Sequence, residues 1–182
     1  MNMNEPGKVY FIDCETNIKK HTVLNELLFI QVAVFEKKEF KNLIENDLTK
    51  ITQKKVHIFN AVEATEDTQR LLYFKQILMN PRNRLVFFNA PFDCAHLLKW
   101  LYPDTFYPGM LLFTYANDYI KAPIWDLYLL LQVIHPGYKN NSLANWAQRL
   151  YEIQLDKSLQ KSFYKGMFLS PELLKYMEQD IQ

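Results

Sequence analysis

Hydrophobic and polar positions along this chain fall into short blocks whose period alternates between that of a strand and that of a helix. After a Pro6-Gly7 turn signal, Lys8-Val9-Tyr10-Phe11-Ile12-Asp13 is β-branched and aromatic and predicts a first strand. Leu27 to Phe35 is apolar almost throughout, as in a strand covered on both faces. A third, shorter strand is expected beyond Glu36 to Lys38, read as a polar turn that makes the pair antiparallel. Glu45 to Thr65 shows no legible period and is read as a long connection. Glu66 to Met79 carries Leu71, Leu72, Phe74, Ile77 and Leu78 at helical spacing and stops before Asn80-Pro81, which predicts a helix. Arg84 to Phe88 predicts a buried strand, and Pro91 suits the first turn of a helix running through Ala95, Leu97, Leu98 and Leu101. Ala122 to Trp125 predicts a short strand, and Leu127 to Ile134 a helix ended by His-Pro-Gly. Two further helices are expected, Ser142 to Tyr151 and one from Ser170-Pro171 onward, with Ser170 as N-cap and Leu173, Leu174, Met177 and Ile181 facing inward. Early strands followed by alternating helices and strands predict an α/β sandwich around a mixed sheet.

Composition narrows this only a little. The 182 residues, 49% apolar and 15% aromatic, suit one globular domain spanning 1–182, with no internal repeat or linker. Twenty-one basic residues against twenty acidic ones leave a formal net charge of +1, so affinity for a polyanion has to be local or supplied by bound cations. Cys14 and Cys94 form no Cys-x-x-Cys pair and no metal-ligand spacing, which fits a reducing compartment. Met1 to Lys8 lacks the apolar core of a signal peptide and no apolar run reaches membrane-span length, so the expectation is a soluble, intracellular, cytoplasmic protein with no membrane partner.

Chemistry enters with the carboxylates. Asp13 and Glu15, two apart at the end of the first strand, project to the same side about 7 Å apart, at ~3.3 Å per residue, as two ligands of one cation would. Asp93 follows a buried strand in the first turn of the next helix, where an acid also suits the helix dipole, and where open α/β sheets tend to put functional groups. Tyr176 and Asp180 are four apart on a helix and share one face, at the border of its apolar stripe. Each fragment alone has a bland structural explanation. Together they supply the hard oxygen ligands that paired Mg²⁺ or Mn²⁺ ions prefer. Such ions, ~3.5–4 Å apart, favour in-line phosphodiester cleavage. A tyrosine hydroxyl one turn from a ligand can aim the attacking water.

With these motifs the chain resembles the DEDD superfamily of 3′→5′ exonucleases, in the subgroup whose third motif carries tyrosine. Phe11-Ile12-Asp13-Cys14-Glu15-Thr16 is similar to its first motif, Asn89-Ala90-Pro91-Phe92-Asp93 to its second and Tyr176-Met177-Glu178-Gln179-Asp180 to its third. Trp125-Asp126, Ser142-Leu143 and the run from Leu155 to Ser162 resemble the segment shared by ribonuclease D and the proofreading domain of family A DNA polymerases. The resemblance implies a ribonuclease H-like fold, a mixed five-stranded sheet flanked by helices, and two divalent cations, Mg²⁺ or Mn²⁺. It implies that Asp13 bridges both ions, that Glu15 and Asp180 complete the first site, that Asp93 holds the second and that Tyr176 orients the nucleophilic water. The Thr16 and Asn89 region would contact the terminal nucleotide. The chain departs from the pattern in placing Met177, Glu178 and Gln179 where small residues are usual. It also stops two residues after Asp180, where relatives continue their last helix, so either the domain is cut short at its C-terminus or the natural product is short.

Among the remaining polar residues, Asp126 is read as a helix N-cap in preference to a fifth ligand. His96 is expected at the surface, partly exposed. Cys14 and Cys94 are expected to pack as small apolar residues. Lys157 and Lys161, with Lys165 and the aromatics Phe163 and Tyr164 between them, make the best candidate for a strand-contacting patch, since cations bind phosphates and aromatic faces stack on bases, with a solvated loop near the third motif as an equal reading. The expected function is therefore a two-metal 3′→5′ exonuclease acting on nucleic acid with a free 3′ end. Asn-x-x-Phe-Asp in the second motif leans towards single-stranded DNA, with a polymerase module or partner as one setting. The alternatives are RNA trimming of the ribonuclease D kind and a catalytically silent relative that binds nucleic acid or scaffolds a complex.

Overall fold

The computed structural model describes residues 7–17, 26–46, 56–63, 68–105, 118–139, 141–155, 157–159, 163 and 170–179. Five strands, β1 (Lys8–Thr16), β2 (Leu27–Glu36), β3 (Val56–Asn60), β4 (Arg84–Phe87) and β5 (Ile124–Asp126), form one sheet in the order β3-β2-β1-β4-β5. β2 pairs antiparallel with both β1 and β3, whereas β1, β4 and β5 run parallel. β1 extends through Glu15 to Thr16, so both acids of the first motif lie in the central strand, and the register shifts between Glu15 and Thr16. Irregularities of this kind re-aim side chains at the end of a strand.

Six helices accompany the sheet among the described residues: α1 (Lys37–Asn46), α2 (Thr68–Met79), α3 (Ala90–Leu101), α4 (Leu127–Ile134), α5 (Leu143–Tyr151) and α6 (Pro171–Gln179). On one face of the sheet, Tyr10, Ile12, Cys14, Ile30, Val32, Leu85 and Phe87 pack against Phe74, Ile77 and Leu78 of α2 and Cys94, Leu97 and Leu98 of α3. On the other, Val9, Ala33, Phe35 and Val86 meet Phe40 of α1 and Leu127 of α4, while Phe29 and Leu28 meet α6. The fold is the expected mixed five-stranded α/β arrangement, ribonuclease H-like.

Two expectations fail between the second strand and α2. The chain does not turn back into a strand at Glu36 to Lys38; it enters α1 directly. The sequence explains this, because Phe40, Leu43 and Ile44 recur at the three- and four-residue spacing of a helix. The Glu39 carboxylate accepts from the Glu36 main-chain N–H at 3.4 Å, and Phe40 packs against Phe11 and Phe35 with ring centroids 5.6 and 5.7 Å away. The third strand lies instead inside the stretch read as a connection, as β3. Its pattern is faint because it is an edge strand of five residues with only Val56 fully buried and the polar His57 facing out.

The other elements sit where periodicity puts them, and their ends are held by specific bonds. Asn83 is buried, donates its side-chain N–H to the Ile77 carbonyl at 3.0 Å and accepts the Lys8 main-chain N–H at 3.1 Å, tying the start of β1 to the turn before β4. Gly7 packs onto the same turn so closely that a Cβ there would overlap the Arg82 carbonyl. Ser142 caps α5 by accepting from Asn145 N at 3.3 Å, and Ser170 caps α6 by accepting from Leu173 N at 3.2 Å, as the N-cap signals predicted.

Candidate active site

Side-chain alternation sends Cys14 into the core beneath α2 and α3 and puts Asp13 and Glu15 on the opposite side of β1. Their cross-strand partners are Gln31 and Phe29 respectively. Phe29 in turn packs into a cluster with Phe163, Leu173, Tyr176 and Met177, its ring centroid 6.2 Å from that of Phe163, which lies 5.8 Å from Tyr176. The residue opposite Glu15 is thus an anchor of the helix that carries Tyr176. Tyr176 is only 4% exposed, deeper than a border position on the helix would suggest, because α6 lays it onto the β2 surface.

The second motif reaches the first through Asp93. This residue is 1% exposed in the first turn of α3, and its carboxyl accepts hydrogen bonds from both the main-chain N–H and the thiol of Cys14. Burial, and next the charge of Asp13, hold the Asp93 carboxyl well above the usual carboxylate range. Its Oδ1 is buried with no hydrogen-bond partner. The same surroundings push the Cys14 thiol up, through burial first and then through Asp93 and Asp13. Cys14 therefore does more than fill space as a small apolar residue. It is buried in the core and also binds the acid of the second motif, a link between strand and helix that sequence spacing does not reveal.

The turn that delivers Asp93 is held from β5. Asn89, the N-cap of α3, adopts a left-handed conformation (φ 70°, ψ 56°), which asparagine tolerates better than most residues. The Asp126 carboxylate accepts from Asn89 N and Ala90 N, each at 3.1 Å, and from Tyr128 N and Leu129 N at 2.9 and 3.4 Å. One side chain so caps two helices, α3 from outside and α4 as its own N-cap. With its oxygens occupied by main-chain N–H groups, Asp126 is the N-cap the sequence indicated.

Lys157 lies over Tyr176, its Nζ 5.5 Å from the centroid of the ring. Thr16 follows the register shift at the end of β1, and Asn89 is exposed at the elbow before α3. Asp180 and Lys161 lie outside the described residues, and among those described no group of three His, Cys, Asp or Glu side chains is arranged to hold a metal ion. His96 departs from expectation. It is 4% exposed, its Nδ1 is 2.8 Å from the Phe92 carbonyl and its ring lies 4.4 Å from that of Phe92, because residues 93 to 98 of α3 are all buried. Burial lowers its pKa below the ordinary imidazole value, against the opposing hydrogen bond to Phe92.

Gln31 is the residue that sequence reading passed over. It is fully buried in β2 between apolar neighbours, and its Nε2 donates to Glu15 Oε1 at 3.2 Å. The available signal was a single primary amide inside an otherwise apolar strand, directly across from the first motif.

This sheet order and helix placement match known structures. The exonuclease domain of Aedes aegypti Nibbler superposes with a TM-score of 0.64 at 18% identity, covering 95% of this chain and 72% of that one. Escherichia coli RNase D, an exoribonuclease involved in structured RNA processing, gives 0.62 at 13% identity, over 95% of this chain and 36% of its own. Brucella melitensis NrnC with bound Mg²⁺ gives 0.59 at 12% identity, over 95% and 66%. This chain has their fold. It spans about a third of RNase D and about two thirds of NrnC. No sequence-family model matches it, and no curated protein matches it in sequence.

The residues present fit a divalent cation. Asp93 and Asp13 are close enough to repel each other, one of the two is buried, and its Oδ1 has no donor. Two neighbouring carboxylates in that state offer the oxygen donors that a hard cation prefers.

Proposed function

We propose that this chain is a metal-dependent 3′→5′ exonuclease that removes nucleotides from the end of a single strand. The observation that carries the reading is the buried Asp93 carboxyl, bonded to Cys14 and within the electrostatic influence of Asp13, on a fold shared with nucleases. Asp13, Glu15, Asp93 and Asp180 would hold two Mg²⁺ or Mn²⁺ ions. When bound, these would lower the pKa of the attacking water and neutralise charge on the attacking and leaving oxygens. Tyr176, buried beside Phe29, is fixed well enough to orient that water through its hydroxyl. Lys157, over the Tyr176 ring, would meet a phosphate of the incoming strand, with Lys161 further along the same segment, while Thr16 and Asn89 flank the terminal nucleotide. The test is Mn²⁺-dependent release of mononucleotides from a 3′-labelled oligonucleotide. Release by the wild type and its loss in Asp13→Ala are expected; no release with either metal, or release unchanged in Asp13→Ala, refutes the assignment.

Substrate choice divides two readings. The Asn89-x-x-Phe92-Asp93 form of the second motif favours single-stranded DNA, in the setting of a polymerase module or partner. The likeness to RNase D, an exoribonuclease, and to NrnC, a structure of which holds pGG, favours RNA ends. Rates on matched DNA and RNA strands of one sequence separate them.

A further inference from the structure

β2 is the most thoroughly buried strand of the sheet, and Gln31 is its one side chain with a polar end group among the buried positions. A primary amide taken from water into such surroundings is unfavourable unless its groups are bonded. An apolar residue of the same length would fill the space without that cost. The amide faces the first motif: Asp13 is directly across from it and Glu15 is the next residue on the same side. Nε2 donates to Glu15 Oε1 at 3.2 Å, while Oε1 of Gln31 is buried with no partner. This orientation follows from chemistry, because the flipped amide would set its carbonyl against a carboxylate oxygen, two acceptors face to face.

We infer that Gln31 is a positioning residue for the metal site. It holds the Glu15 carboxylate in one orientation through its N–H and offers its carbonyl to a water carried by a cation bound there. The inference rests on the two-metal reading above. Outer partners of metal-binding carboxylates typically change metal affinity by roughly 10- to 100-fold when removed. Gln31→Met keeps the length of the side chain and removes both polar groups.

Mn²⁺ binding to the full chain, followed through the electron paramagnetic resonance signal of free Mn²⁺, is the deciding measurement. Gln31→Met is expected to fold, with a thermal midpoint equal to or above the wild type, and to bind Mn²⁺ roughly 10- to 100-fold more weakly. In a Glu15→Gln background the same substitution is expected to lose most of that effect, a coupling that simple packing would not produce. Wild-type affinity in a folded Gln31→Met protein overturns the inference and leaves the nuclease reading standing. A folded wild type that binds no Mn²⁺ sinks the nuclease reading, and this inference with it. Should Gln31→Met fail to fold, the wild-type protein still decides: the Gln31 side-chain amide resonances must shift on titration with Mg²⁺, and resonances that stay fixed while the protein binds the ion overturn the inference.

Discussion

Substituting Asp126 tests whether the second motif is held in place from the neighbouring strand. Its carboxylate joins the ends of β4 and β5 by accepting from Asn89 N and Ala90 N, and it caps α4 through Tyr128 N and Leu129 N. Asp126→Ser separates the two tasks, since serine caps a helix about as well as aspartate but is too short to span to the Asn89 turn. Bonds to a charged acceptor contribute about 1.5–3 kcal/mol each, and the exposed setting of Asn89 argues for the low end, so losing two costs about 3 kcal/mol. Relaxation of the left-handed Asn89 returns part of this, at most about 1 kcal/mol for an asparagine. The net, about 2–3 kcal/mol, lowers the thermal midpoint by about 4–12 °C at ~2–4 °C per kcal/mol for a chain of this size. Asp126→Asn keeps the cap, loses one bond of the pair and should fall by about half as much. Calorimetry on the three proteins gives the ranking wild type, Asn, Ser. Nucleotide release should fall further than stability, because the turn delivers Asp93 and misplacing a reacting group by about 1 Å can cost roughly 100-fold. A serine variant melting within 2 °C of wild type would show that the turn holds itself, and that the two bonds from Asn89 N and Ala90 N to Asp126 are incidental.

Other substitutions probe the site and its supports. Asp93 has a folded-state pKa raised by burial and by Asp13, so the proton it keeps favours the native state in acid. That contribution is complete below the ordinary aspartate value of 3.8 and is lost as pH climbs through the raised value. The metal-free protein should therefore lose stability on moving upward through this window, with a smaller pH slope in Asp93→Asn and a Mn²⁺-induced rise in midpoint for the wild type alone; equal slopes in thermal melts refute it. Tyr176→Phe should cut the rate of nucleotide release by about 10²–10⁴ with Mn²⁺ affinity unchanged, which single-turnover kinetics and metal titration together would check. Gly7→Ala should destabilise by about 2–3 kcal/mol in denaturant titrations, because the new methyl meets main chain at Arg82 and not a movable side chain.

Legibility in the sequence followed the source of each signal. β1, β2, β4, α2, α3 and α6 were readable because their apolar residues recur with a local period that burial then rewards, α4 and α5 because cap and stop signals mark their ends although α4 buries none of its residues and α5 only Trp146, and Asp126 because a cap acts within a few residues of itself. α1 and β3 were misread where a charged start masked a helical period and where an edge strand buries little. The same-side placement of Asp13 and Glu15 needed only strand geometry. Contacts that depend on packing between distant segments were invisible: the bond from Cys14 to Asp93, the amide of Gln31 beneath Glu15, and the burial of His96 by the full inner face of α3. None of these follows from the nature of the residue or its immediate neighbours.

The cluster that holds Phe29, Phe163 and Tyr176 joins the second strand of the chain to its last described helix. Contacts of such long sequence separation form late, since the entropy of closing the intervening loop has to be overcome first. During synthesis, the tyrosine and the first acidic strand cannot meet until the whole segment between them has left the ribosome. A nascent chain consequently carries the acids of its first strand without their tyrosine until that late helix docks.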